Sequence, residues 1–241
     1  MIQTKKLSYY GNTLMVAHMG AKGLEPENTI AAYIASGNRS YYGIETDIHK
    51  TKDGHFVINH DGDFNRVAGE NVVIENSTLE EIQKVILYDT DGTKGRNDLR
   101  PTTLQNYISI CKKYEKHSII ELKAKFTDED IKKIIEIIKS YDHLDNVTFI
   151  SFEYENLLKV RKVLPEQSCQ YLFWKLSDEE IDRLVKDKMD ADVWCIELTE
   201  EQIKRAHARG LKVNCWTVNE KENGEKFASW GIDFITSNIL E

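Results

Sequence analysis

Only three prolines occur in the 241 residues, and no low-complexity linker, internal repeat or long charge block interrupts the chain. The usual marks of a domain boundary are therefore missing. With 41% hydrophobic residues the length suits one sizeable core, so a single domain over residues 1–241 is expected. Four cysteines, Cys111, Cys169, Cys195 and Cys215, show no C-x-x-C spacing, and the last three fall in apolar segments. They read as reduced packing residues. No segment approaches the roughly 18 apolar residues of a membrane span. The N-terminus, from Met1 to Lys6, runs into tyrosines and a Gly-Asn pair rather than into the apolar stretch of a signal peptide. A soluble cytoplasmic protein is the expectation. Positive charge is also short, 32 basic against 40 acidic side chains for a net −8, which repels a polyanionic backbone and argues against nucleic acid as a partner. A small anionic substrate stays compatible with that balance where a metal or a few placed cations invert the local potential.

What is present is a regular alternation. Short apolar or β-branched runs stand at 14–17, 43–48, 118–122, 147–150, 169–173, 192–196, 211–216 and 232–235, eight in all. Most are separated by segments of helical periodicity, such as Ile131, Ile134, Ile135 and Ile138. Capping-box pairs open several of these: Thr78 with Glu81, Ser177 with Glu180, Thr199 with Gln202. Strands alternating with helices imply parallel pairing with right-handed crossovers. Eight such units in about 240 residues close a (β/α)₈ TIM-type barrel more naturally than they extend a doubly wound sheet. The exception to regular spacing follows the second strand. There Asp53-Gly54 suits a tight turn returning a short strand over 56–59, which would carry His60 back toward the barrel mouth. The stretch 62–101 reads as one capped helix from Thr78 inside a loop cover.

Chemistry concentrates at predicted strand ends, where barrels of this kind hold their sites. Glu45 and Asp47 are two apart on the second strand and so share a face. Two acids that close force one to protonate unless a hard divalent ion is shared between them. Glu121-Leu122-Lys123 repeats the arrangement with a carboxylate and an ammonium, suggesting a metal ligand beside a phosphate clamp. Taken alone, that tripeptide reads more readily as an ordinary salt bridge at a strand terminus. His18 closes the first strand and His60 follows the return strand, positions that suit an acid and a base. His117, His143 and His207 read as structural, and His49 as a partly exposed strand residue. Trp216, with Phe173 or Trp174, is a candidate apolar wall.

These pieces, in this order, resemble the glycerophosphodiester phosphodiesterase family. Its opening H-R-G and P-E-N-T stand here as His18-Met19-Gly20 and Pro26-Glu27-Asn28-Thr29, its G-x-E-x-D as Gly43 to Asp47, and its D-G with V-x-x-H-D as Asp53-Gly54 and Val57 to Asp61. Glu121-Leu122-Lys123 matches E-x-K, Ser151-Phe152 a weaker S-F, and Trp216-Thr217-Val218-Asn219 W-T-V-N. The resemblance implies that Glu45, Asp47 and Glu121 bind Mg²⁺ or Ca²⁺, that His18 and His60 serve as base and acid, and that Lys123 holds the phosphate of a glycerophosphodiester. Pro26 to Thr29 is expected to shape a loop and cap the next helix.

Two departures bear on efficiency. Met19 replaces the family's arginine, and a thioether makes no charge-assisted contact to a phosphoryl oxygen; Lys22 is the nearby candidate to replace that cation. The closing T-D stands as Ser237-Asn238. A lyase that stops at a cyclic phosphate, and a catalytically weak barrel that binds phosphate or sugar, are the competing expectations.

Overall fold

The computed structural model describes residues 3–241, so the part of the N-terminal reading that rests on Met1 and Ile2 lies outside the described residues. The chain begins with β1 (Leu14–Ala17), α1 (Ile30–Gly37) and β2 (Gly43–Lys50). It then leaves the regular alternation through β3 (Phe56–Ile58), β4 (Asp63–Phe64), α2 (Asn65–Ala68), β5 (Glu70–Val73) and α3 (Leu79–Ile82). Alternation resumes with α4 (Leu104–Lys113), β6 (His117–Leu122), α5 (Asp128–Ser140), β7 (Val147–Ser151), α6 (Tyr154–Val163) and β8 (Ser168–Phe173). It ends with α7 (Asp178–Asp187), β9 (Asp190–Trp194), α8 (Glu200–Ala208), β10 (Val213–Trp216), α9 (Lys221–Ser229) and β11 (Phe234–Ser237).

Strands β1, β2 and β6 to β11 pair in parallel, each with its neighbour, and β1 pairs with both β11 and β2. The sheet is therefore a closed eight-stranded barrel with helices between the strands, as the alternation predicts. Its interior is plugged by Val16, Ile119, Ile150 and Leu172, with Tyr42, Trp216 and Phe234 packed on them. A larger core lies between barrel and helices; Ile131, Ile134, Ile135 and Ile138 of α5 all belong to it, which is why that helix shows so clean a period.

Helix starts are set locally. Thr78, Thr127 and Thr199 form complete capping boxes with Glu81, Asp130 and Gln202. Ser177 completes only half of one: its hydroxyl accepts the Glu180 N–H, but the Glu180 carboxylate turns to Arg183 at 3.8 Å.

The expected return strand forms, β3 pairing antiparallel with the end of β2. The segment after it is more than a loop cover. β4 and β5 form a small antiparallel ribbon. Val57, Phe64, Ala68, Ile74, Ile82, Val85, Leu87 and Leu99 bury a satellite core of their own, so the insertion is a packed platform at the mouth.

Several strand boundaries differ from expectation by one or two residues. The run 192–196 forms a strand over Asp190–Trp194, and Cys195–Glu197 turn into a 3₁₀ segment that leaves Ile196 69% exposed. Likewise the last two strands start at Val213 and Phe234 rather than at Leu211 and Ile232, because those two residues bury under the helices before strand pairing begins.

Candidate active site

Glu45 and Asp47 face inward from β2, and Glu121 sits opposite Asp47 in the register of β6. Pairing of adjacent parallel strands thus brings three carboxylates together, each offering an oxygen within 4.8 Å of the others, all three residues buried. Burial, and then the Asp47 and Glu121 carboxylates, push the Glu45 carboxyl well above the usual range. Burial followed by Asp47 pushes Glu121 up to about 8. The ammonium of Lys123 lies 3.0 Å from Glu121 Oε1 and 3.5 Å from Asp47 Oδ1. Burial works against that charge, but the two carboxylates outweigh it and raise the Lys123 pKa.

One ammonium does not satisfy three acids. Asp47 Oδ1 is buried and accepts no hydrogen bond, while Asp47 Oδ2 accepts from the Asn28 side-chain amide at 2.8 Å. An all-oxygen donor set with an unspent buried oxygen fits a hard divalent cation. Glu45 is steadied by the Met19 backbone N–H, which donates to its Oε2 at 2.8 Å.

The two imidazoles flank this cluster and have different partners. His18 follows β1; its Nδ1 lies 2.7 Å from Asn238 Oδ1, and its Nε2 lies 4.0 Å from Glu45 Oε2. Burial lowers its pKa, against the pull of Asn238 and Asp47. His60, delivered by β3 and the insertion, has Nδ1 at 2.7 Å from Asp61 Oδ1. Asp61 Oδ2 in turn accepts from Arg66 Nε at 2.6 Å, and Arg66 grips Glu27 with both terminal nitrogens. The His60 ring is thereby anchored to the insertion.

His18, His60, Glu45, Glu121 and Lys123 line one cavity of about 130 Å³. Ile150, Leu172, Phe152 and Trp216 give it an apolar wall, and Asp192, Thr217 and Thr236 complete the lining. Trp174 packs on Phe152, Trp194 and Trp216 with ring centroids 5.3 to 5.7 Å apart and stands 58% exposed at the mouth.

The family model described as "Glycerophosphoryl diester phosphodiesterase family" matches residues 18–240. The chain belongs to the glycerophosphoryl diester phosphodiesterase family. It is, by that membership, an enzyme acting on phosphodiesters of glycerol. A curated relative, the glycerophosphodiester phosphodiesterase of Caldanaerobacter subterraneus subsp. tengcongensis, is 28% identical over 240 residues, covering 95% of each chain. A solved glycerophosphodiester phosphodiesterase from Thermotoga maritima superposes with a TM-score of 0.77 at 25% identity, covering 95% of this chain and 96% of that one. An Oleispira antarctica phosphodiesterase, solved with the product sn-glycerol-3-phosphate, superposes at 0.86 with 24% identity, covering 94% and 93%; at that identity it attests the fold.

Within this family frame, the residues expected from sequence divide. Glu45, Asp47, Glu121, Lys123, His18, His60 and Trp216 converge at one end of the barrel. Lys22 does not join them: its ammonium bonds Glu27 at 3.1 Å and it lines a neighbouring cleft with Arg66 and Tyr88. It lies outside the lining of the cavity, near enough for its charge to act on His18. Met19, 3% exposed, contributes its backbone rather than a side chain to the site.

His49, expected to be partly exposed, is buried, since β3 and the insertion cover the end of β2; its Nε2 approaches the His60 carbonyl at 3.4 Å. The Pro26 to Thr29 motif splits its duties: Thr29 caps α1, but Asn28, at a φ of +59°, sends its amide to Asp47. Of the two aromatic alternatives, Trp174 reaches the mouth while Phe173 packs in the outer core. His117, His143 and His207 are hydrogen-bonded to Thr148, Ser118 and Asp233, away from the site. No helix among the described residues is long and apolar enough to cross a membrane.

Proposed function

We propose that this barrel, acting as one domain, hydrolyses a glycerophosphodiester to glycerol 3-phosphate and an alcohol, with Glu45, Asp47 and Glu121 holding Mg²⁺ or Ca²⁺. When bound, the cation supplies neutralisation at a non-bridging phosphoryl oxygen and helps orient the nucleophile. Lys123, paired with two of the same carboxylates, donates to a second phosphoryl oxygen.

The observation that carries the reading is the contrast between the two imidazole partners. The Asn238 oxygen accepts from Nδ1–H of His18, so its Nε2 keeps a lone pair next to the acid cluster, and burial outweighs the pull of that amide toward the protonated ring. His18 is the base. It takes a proton from the attacking water as the new O–P bond forms. His60 has a carboxylate behind its Nδ1, which holds that nitrogen and aims Nε2 into the cavity; its Nε2–H passes to the alkoxide as the old P–O bond breaks. Both rings return to their starting states once the proton moves from His18 to solvent and His60 is recharged. The family match and the Caldanaerobacter relative support the substrate class.

Glycerophosphocholine assayed with Mg²⁺ or Ca²⁺, with and without EDTA, tests this. Release of choline that stops on chelation is expected, and His18→Ala and His60→Ala should each lower turnover by about 10²-fold or more. Turnover indifferent to EDTA, or wild-type rates in either variant, would remove the metal or that imidazole from the reaction.

A further inference from the structure

We propose that Asp192, backed by Asn214 and Thr236, is a specificity-determining subsite that accepts the free hydroxyls of the polyol portion of the substrate. The inference rests on the cavity being the phosphodiesterase site argued above and concerns the part of it that the acid cluster does not explain.

Asp192 projects from β9 into the cavity wall, across from the acids and imidazoles, and is 1% exposed. Its Oδ1 is buried without any hydrogen-bond partner. Its neighbours leave that oxygen unmatched, Asn214 offsetting the burial of the carboxyl only in part. The Asn214 amide donates to Thr236 Oγ1 at 3.0 Å, so those two side chains chiefly satisfy each other. Trp216 Nε1 donates to the Asp192 backbone oxygen at 3.3 Å rather than to the carboxyl. No lysine, arginine or histidine acts on Asp192; burial, against the weaker pull of hydrogen bonding by Asn214, pushes the carboxyl up to about 8.

A buried polar atom left unmatched costs about 1–3 kcal/mol, and such an atom in a ligand cavity marks a place where the ligand brings the missing partner. The partner's chemistry follows from the charge. An ammonium head group calls for an ionised carboxylate, whereas a carboxyl held mostly neutral suits hydroxyls, donating its own O–H to one and accepting from another. The wall fits the same occupant. Ile150, Leu172 and Phe152 offer an apolar surface for the carbons of a short polyol whose hydroxyls turn to Asp192.

Discrimination between ligands with and without hydroxyls is the test. Wild type should bind sn-glycerol 3-phosphate at least about tenfold tighter than n-propyl phosphate by calorimetry, and Asp192→Leu should shrink that preference to about twofold, with Asp192→Asn intermediate. In parallel, Asp192→Leu should lose kcat/KM on glycerophosphocholine at least about tenfold more than on bis(p-nitrophenyl) phosphate, a diester without hydroxyls, the difference residing in KM. If Asp192→Leu fails to fold, the Asp192→Asn preference decides alone. No wild-type preference for the glycerol ester, or equal losses on both diesters, would overturn the subsite. A wild type that binds glycerol 3-phosphate selectively yet hydrolyses neither diester would instead overturn the hydrolase reading and leave the subsite standing.

Discussion

His18 Nδ1 rests 2.7 Å from the side-chain oxygen of Asn238, residues 220 positions apart that the β1–β11 pairing closes into one corner of the barrel. A neutral acceptor there, against the carboxylate of Asp61 behind His60, makes the two imidazoles chemically unlike although both are histidines at the same cavity. That asymmetry can be rewritten. Asn238→Asp gives His18 a carboxylate partner, which should make the ring more basic and move the acidic limb of the kcat/KM profile upward by about one pH unit. Asp61→Asn should loosen the hold on His60 and cut kcat by about tenfold or more as the proton donor loses its orientation. If Asn238→Asp leaves the acidic limb in place, His18 is not the group that titrates there.

The acid cluster yields a thermodynamic prediction independent of turnover. Three buried carboxylates with only Lys123 among them repel one another when no cation is bound. In EDTA, Glu121→Gln should therefore melt no lower than wild type. Adding Ca²⁺ or Mg²⁺ to about 100 times its Kd should stabilise wild type by about 2.7 kcal/mol, a Tm rise of roughly 5–10 °C for a chain of this size. Glu121→Gln should gain far less, so the order of the two proteins reverses. An equal metal-induced rise in both, followed by calorimetry, would mean that the cation binds elsewhere.

Much of this site is legible in the chain itself because its groups occur as short local patterns. Glu45 and Asp47 share a strand face by the two-residue period, and Glu121 lies beside Lys123 at a strand end, so a barrel topology alone suffices to bring them together. Groups that act through distant, single polar residues leave no such trace. Asn28 meets Asp47 across 19 positions and Asn238 meets His18 across 220; each looks in sequence like an ordinary loop amide. Asp192 opens an apolar run, where nothing distinguishes an inward-facing acid from a strand-edge one. His49 departs from expectation because the alternation of β2 foretells which face it shares, but not that β3 and the insertion cover that face. Strand ends slipped for a related reason: Leu211 and Ile232 are as buried as strand residues while lying outside the ladder, and hydrophobicity reports burial rather than pairing.

The carboxyl of Asp192 also leaves a mark on stability. Burial raises it from an unfolded value of 3.8 to about 8. Between those pH values the folded chain keeps a proton that the unfolded chain releases, so unfolding becomes easier as pH rises. This contribution is fully present below about pH 4, erodes steadily toward pH 8, and is flat beyond it. Asp192→Asn carries no ionisable group there and lacks that slope. The difference in Tm, wild type minus Asp192→Asn, should therefore fall as the buffer moves from pH 5 to pH 8, whatever the variant's Tm at any single pH. Parallel curves over that range would show that Asp192 ionises as freely in the folded barrel as in water, and that the wall around it is wetter than its burial implies.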